Sequence, residues 1–202
     1  MMTGREFPNW EALYQEKPVE TMPWFNPSLD ADVEEALLNL ELRNGSVLDL
    51  GTGPGTQAFA LAQRGFQVMA TDLSETAIRQ AAAKANQKGL EISFQQDDIL
   101  NSRLEKSFDL ILDRGCFHVL PPQSRGTYVQ TVANLLKPKY YLLLKCFSHL
   151  ETGEQGPYRF TPEEIQQIFT ERFYLRSAKQ TVYHGTLDPL PKALLCILEK
   201  QS

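Results

Sequence analysis

The sequence predicts a single α/β domain: a doubly wound, seven-stranded, mostly parallel sheet with an antiparallel closing strand and helices on both faces. Three observations predict it. Short apolar runs alternate with amphipathic stretches along most of the chain, the pattern of strands joined by crossover helices. The first strand-like run, VLDL at 47–50, leads straight into Gly51, Gly53 and Gly55 and then into a helical pattern. A strand that hands over to a helix through a glycine turn reads as the centre of a parallel sheet. The last two runs, 173–181 and 193–200, are separated by a proline-punctuated loop, which suits a closing antiparallel pair.

With 202 residues, the chain is long enough for one well-buried core. We therefore read 1–202 as one domain, with 1–29 as an amino-terminal arm or lid. Hydrophobic residues make up 42%, too many for a disordered chain. A net charge of −5 leaves no electrostatic footprint for nucleic acid. No lysine- or arginine-rich block favours a membrane surface. The longest apolar run, Tyr140–Phe147, is broken by Lys145 and falls short of the ~20 residues of a membrane helix. The amino terminus lacks a signal-peptide core. Cys116, Cys146 and Cys196 are odd in number and far apart, which argues against a disulfide framework or a zinc site. A reduced, cytoplasmic protein without a metal is the expectation.

The elements follow in order. Residues 1–29 are rich in aromatics and prolines and hold both tryptophans. Trp10–Glu16 reads as a short helix capped by Asn9. Trp24 and Phe25 either glue this arm to the core or form an apolar lid over a small ligand. Asp30–Leu42 is helical by its leucine spacing and is ended by Asn44-Gly45. The first strand follows, and Thr56–Arg64 is the first core helix, with Gly65 as its cap. Phe66–Thr71 delivers Asp72, which stands 21 residues after Gly51, near the ~20 at which an acidic residue meets ribose hydroxyls in such a unit. The other reading makes Asp72 or Ser74 only the cap of the alanine-rich helix Ser74–Lys88. Ile92–Gln95 is the third strand, with Asp97-Asp98-Ile99 at its exit.

Phe108–Leu112 is the fourth strand and empties into Asp113-Arg114-Gly115-Cys116-Phe117-His118. In a doubly wound sheet this exit lies beside the first strand, facing the reactive end of a bound cofactor. A polar loop with an Arg–Asp pair is the alternative. Gln123–Lys137 reads as a helix and Tyr140–Phe147 as a buried fifth strand. The polar stretch to Arg159 suits a substrate loop. Thr161-Pro162-Glu163-Glu164 is a helix start with a capping box.

The glycine spacing separates two cofactor classes. A dinucleotide fingerprint requires Gly or Ala at position 56, where this chain has Thr. The G-x-G-x-G behind a D-x-G strand resembles the first motif of class I S-adenosylmethionine-dependent methyltransferases, whose Rossmann-like fold matches the element order. The Trp10, Tyr14, Pro23-Trp24 arm and the Asp113-Arg114-Gly115 exit resemble the thiopurine methyltransferase and tellurite-resistance branch. One departure is Lys137-Pro138-Lys139, where many relatives have Pro-Gly-Gly. The resemblance implies a cofactor set of Asp49, Gly51, Thr52, Gly53, Gly55, Asp72, Leu73, Asp98, Ile99 and Asp113. It implies S-adenosylmethionine as cofactor, with S-adenosylhomocysteine as product, and a small-molecule acceptor, a thiol or a selenium or tellurium oxyanion. Trp24, Phe25 and Cys116 would line the acceptor site. Arg114 would attract an anionic acceptor, and His118 would take a proton with a pKa near 6.5. Protein methylation and cofactor binding without catalysis are the competing functions.

Overall fold

In the computed structural model, which describes residue 5, residues 7–153 and residues 155–202, the apolar runs become β1 (Ser46–Leu50), β2 (Gln67–Asp72), β3 (Ile92–Gln96), β4 (Phe108–Arg114), β5 (Leu136–Ser148), β6 (Arg159–Phe160), β7 (Phe173–Val182) and β8 (Lys192–Lys200). Among the described residues the helices are α1 (Trp10–Glu16), α2 (Ala31–Asn39), α3 (Thr56–Gln63), α4 (Glu75–Gln87), α5 (Arg125–Leu135) and α6 (Pro162–Phe169). Residues 1–4 and Glu6, part of the expected arm, lie outside the described residues, as does Glu154.

The sheet order is β3-β2-β1-β4-β5-β8-β7, with β6 pairing off this path onto β5. β1 is parallel to β2 and to β4. β8 is the one antiparallel strand among those described, wedged between β5 and β7. The chain thus leaves β1 outward to β3 and returns to β4 on the other side. That reversal opens a crevice at the carboxyl ends of β1 and β4.

Two apolar layers explain the burial. On one face α5 and α6 cover β4, β5 and β8, and the rings of Phe117, Tyr128, Phe160 and Phe169 interlock. On the other, α2 and α3 lay Val33, Leu37, Ala58 and Leu61 against Val47, Leu110, Leu112 and Leu143. Strands covered on both sides read as continuous apolar runs, which is why β1, β4 and β5 are legible in the sequence.

Local signals set the helix ends. Asn9 caps α1 by accepting the Ala12 N–H, Ser74 caps α4 by accepting that of Ala77, and α6 carries the full capping box of Thr161 and Glu164.

Three expectations are corrected. α5 ends at Leu135 and β5 begins at once at Leu136, so Lys137-Pro138-Lys139 lies within the strand. Lys139 takes a positive φ of 66°, and the β4–β5 register shifts at that point. The early pairing of Phe108 with Leu136 draws the chain into the sheet sooner than helix periodicity suggests. The second correction is the eighth strand, the two-residue β6. It is too short to show periodicity and exists through its pairing with Phe147 and Ser148. The third is β4, which runs on to Arg114.

Candidate active site

The glycine loop is held from beneath. Asp49 is buried in β1 and accepts the Thr52 hydroxyl at 2.6 Å; burial pushes its pKa up to about 6. It shapes the loop from below, so the expectation that it touches the cofactor is corrected: its carboxylate is enclosed in protein. Gly53 takes φ +51°, and a Cβ there would lie 2.5 Å from the Tyr14 hydroxyl and 3.8 Å from Trp24 Nε1. The arm is thus folded directly over the loop, a closeness that only glycine allows.

Asp72, at the end of β2, accepts the Gly53 N–H with Oδ2 and the Ser74 N–H with Oδ1, each at 2.9 Å. This carboxylate ties the loop to the start of α4, whose N-cap is Ser74. Beside it Leu73 is 52% exposed, an apolar surface with no core partner. Asp98 caps a 3₁₀ turn by accepting the Leu100 N–H at 3.0 Å, leaving Oδ2 without a partner among the described residues, while Ile99 is buried. Gly51 meets the other wall of the crevice: a Cβ there would come 3.3 Å from that of Cys116.

The β4 exit departs from expectation at Asp113, Arg114 and His118. Asp113 is fully buried and accepts N–H groups from Gly115, Cys116 and Phe117 and the Tyr128 hydroxyl. Four donors saturate a carboxylate, so Asp113 builds the turn and has no capacity left for a cofactor. Arg114 offers no free charge to an anion: its side chain is 7% exposed and ion-paired to Asp30 at 2.8 Å. It also donates to the backbone oxygens of Trp24 and His184.

His118 is buried, accepts the Phe147 N–H on Nδ1 at 3.1 Å, and stacks on Tyr183. Burial, helped by the Arg114 charge, pushes its pKa down to about 3, so it stays neutral and is no proton acceptor near neutrality. Cys116 is half-buried; burial and the Asp113, Asp72 and Asp98 carboxylates push its thiol pKa up, which keeps it protonated and un-nucleophilic.

A depressed histidine pKa has a stability consequence. Unfolded His titrates near ~6.5, so this contribution to stability is complete above that pH and is lost as pH falls toward the folded value of about 3. His118→Gln, which keeps an acceptor for Phe147, is expected to make the fall in melting temperature between roughly pH 6.5 and 4 shallower. A wild-type slope in the variant would contradict the buried neutral imidazole.

Four residues near the crevice were missed by sequence reasoning about the site. Tyr14 was read only as part of the arm. Tyr183 packs against His118 and Phe147. Tyr158 donates its backbone N–H to the His118 carbonyl at 2.7 Å. Arg125 lies with its guanidinium 4.7 Å from the Tyr158 ring and 4.7 Å from the Phe160 ring. Tyr158, Tyr183 and Arg125 have no sequence signature, because each comes from a loop or helix start distant in sequence. Trp24 packs edge-on against Trp10 at 5.8 Å. Phe25 lines a surface hollow of about 240 Å³ that it shares with Pro54, Thr56 and Lys84.

A family model described as a methyltransferase domain matches residues 47–139, from β1 into the start of β5. An uncharacterized methyltransferase of Schizosaccharomyces pombe, C750.03c, is 32% identical over 115 residues, covering 55% of this chain and 78% of the relative. The chain belongs to the class I S-adenosylmethionine-dependent methyltransferases. Within this methyltransferase family, it is 26% identical to thiocyanate methyltransferase 1 of Arabidopsis thaliana, over 79% of this chain and 70% of that one. It is 28% identical to the human EEF1A lysine methyltransferase 2, over 83% and 73%. A solved structure described as the conversion of a disulfide bond into a thioacetal group during echinomycin biosynthesis superposes with a TM-score of 0.81 at 25% identity, covering 95% of this chain and 91% of that one.

The residues present fit the methyltransferase cofactor: a carboxylate at the end of β2, an exposed leucine next to it, an acid with an open oxygen after β3, and a glycine loop approached closely by the arm. S-adenosylmethionine supplies a methyl group already activated on a sulfonium. What remains for the protein is to hold donor and acceptor in line and to keep water out. Among the described residues no helix is long and apolar enough to cross a membrane.

Proposed function

We propose that this methyltransferase acts on a small anionic or soft acceptor, a thiol or a selenium or tellurium oxyanion, and that Arg125 recognises its charge. The observation that carries the reading is the state of Arg125. Its guanidinium is framed by Tyr158 and Phe160, and its Nε is buried without a partner among the described residues. Arg5 also lies over Tyr158, at 4.9 Å, and adds to the positive field. This pair replaces Arg114 as the anion-attracting group. The cofactor would be held by the Gly51, Thr52, Gly53 and Gly55 loop, Asp72, Leu73, Asp98 and Ile99, with Trp24 toward the acceptor. A soft nucleophile needs no general base, which suits a site whose histidine is neutral and whose cysteine is protonated. Three free cysteines fit a reduced, cytoplasmic setting.

The coverage of the EEF1A lysine methyltransferase favours a second reading, methylation of a protein lysine. Two arginines around Tyr158 oppose it, because they would repel an ammonium group. The test offers thiols, selenite and tellurite with S-adenosylmethionine and follows S-adenosylhomocysteine and methylated product. Turnover of at least one acceptor is expected, with Arg125→Gln raising its KM about 10- to 100-fold, the worth of a charge-assisted hydrogen bond. Methyl transfer only to proteins of a lysate, or cofactor binding without turnover of any acceptor, would overturn the proposal.

A further inference from the structure

A strap of chain crosses the carboxyl ends of the sheet, pinned at both ends. At one end Glu11 on α1 accepts the Ser74 and Thr76 hydroxyls, at 2.7 and 2.6 Å, and the Thr76 N–H. These bonds hold its pKa well below the usual carboxylate range. The strap then passes Tyr14 and Trp24 over Gly53. At the other end it meets the hairpin joining β7 to β8. Thr186 donates to Pro23 and Met22 oxygens, and a Cβ on Gly185 would lie 2.0 Å from the Pro23 oxygen.

Beneath that meeting point lie four charges taken out of water. Lys145, fully buried, reaches Asp30 at 2.6 Å and Asp32 at 2.7 Å. Arg114 reaches Asp30 at 2.8 Å. Asp32 also accepts the Thr181 hydroxyl of β7, and His184 Nδ1 lies 3.6 Å from Asp30. Asp30, Asp32 and His184 converge as metal ligands would, but Lys145 and Arg114 already supply two positive charges to the two carboxylates.

Arg114 has a further property that the ion pairs do not explain. One guanidinium donates to Asp30, to the strap at Trp24 and to the hairpin at His184, and it lies 4.6 Å from the Tyr183 ring. The strap carries the wall over the glycine loop, and the hairpin carries the ring that stacks on His118. A single side chain thus joins both walls of the reactive-group side. A planar fork can serve three partners in different directions, whereas an ammonium group is a point charge on a flexible stem.

We propose that Arg114 is a positioning residue that clasps the strap and the β7–β8 hairpin into one lid, locked from below by Lys145, Asp30 and Asp32, so that both walls part and close together around the cofactor. This rests on the cofactor site and not on the identity of the acceptor. Buried ion pairs add little net stability, yet they specify one arrangement strongly because a lone partner is costly. The lid is therefore held in register by charge pairing while the core supplies the stability.

Both tryptophans of the protein, Trp10 and Trp24, lie on the strap, so tryptophan fluorescence excited selectively over the tyrosines reports the strap. Arg114→Lys keeps the charge but not the three-way fork. We expect acrylamide quenching of the variant to rise at least twofold and S-adenosylhomocysteine to dissociate at least tenfold faster in stopped flow. Asp32→Asn, which weakens the pairing with Lys145 and Lys179 and leaves the Asp30 pairs, is expected to change both readouts in the same direction but less, and carries the test should the first variant not fold. Arg176→Ala, which breaks only the exposed pair with Glu199, is expected to change neither. A lower melting temperature with quenching and dissociation rate at wild-type values in the folded variants would reduce Arg114 to a purely structural residue and overturn the clasp.

Discussion

Replacing Asp113 by alanine is expected to destabilise the fold by about 3–5 kcal/mol, since each buried donor left without its acceptor costs about 1–3 kcal/mol before the turn relaxes. The residue is fully buried, and its two oxygens take four donors: Gly115 at 3.0 Å, Cys116 at 2.7 Å, Phe117 at 3.0 Å and the Tyr128 hydroxyl at 2.5 Å. Removing the carboxylate leaves four donors facing apolar surroundings, with water unable to follow. Asp113→Asn retains an acceptor and should lose roughly half as much. Tyr128→Phe removes one of the four bonds and should lose about 1–2 kcal/mol. Urea denaturation measures all three. A loss below ~1 kcal/mol for the alanine variant would mean that the turn is held by its own backbone and not by Asp113.

Asp72→Ala is expected to weaken S-adenosylhomocysteine about 10- to 1000-fold in calorimetry. One charge-assisted bond to a ribose hydroxyl would account for the lower part of that range, at about 1.5–3 kcal/mol. The loss should exceed the ribose contacts alone, because the same carboxylate holds the Gly53 and Ser74 N–H groups and so fixes the glycine loop. Asp72→Asn separates the two roles: it keeps an acceptor for the loop and gives up the charge, so it should fall between the alanine variant and wild type. An affinity within twofold of wild type in the alanine variant would remove Asp72 from the ribose.

The position of Asp72 at the end of β2 was legible because it follows from chain length: a strand, a turn and a helix of ordinary size return an acidic residue about 20 positions on. Asp113 could be located but its role could not. An acid at the end of a central strand looks alike whether it faces a ligand or its own turn, and only the convergence of three N–H groups and Tyr128 distinguishes the cases. Arg114 and His118 misled for a related reason. Their residue types suggest charge and proton transfer, but burial against Asp30 and Tyr183 removes both capacities. Lys145 was visible as a lysine inside an apolar strand, and that break marked the buried end of the clasp in the sequence. Its meaning lay in Asp30 and Asp32, more than a hundred positions away.

What the sequence determined by itself was the layout of strands and helices, the glycine loop and the family. These rest on local patterns: periodicity, caps and fixed spacings that a linear chain records. Which polar groups remain open to a ligand was decided by the tertiary structure. Exposure, pKa and partner choice depend on segments such as the strap and the β7–β8 hairpin, and folding brings these together from opposite ends of the chain.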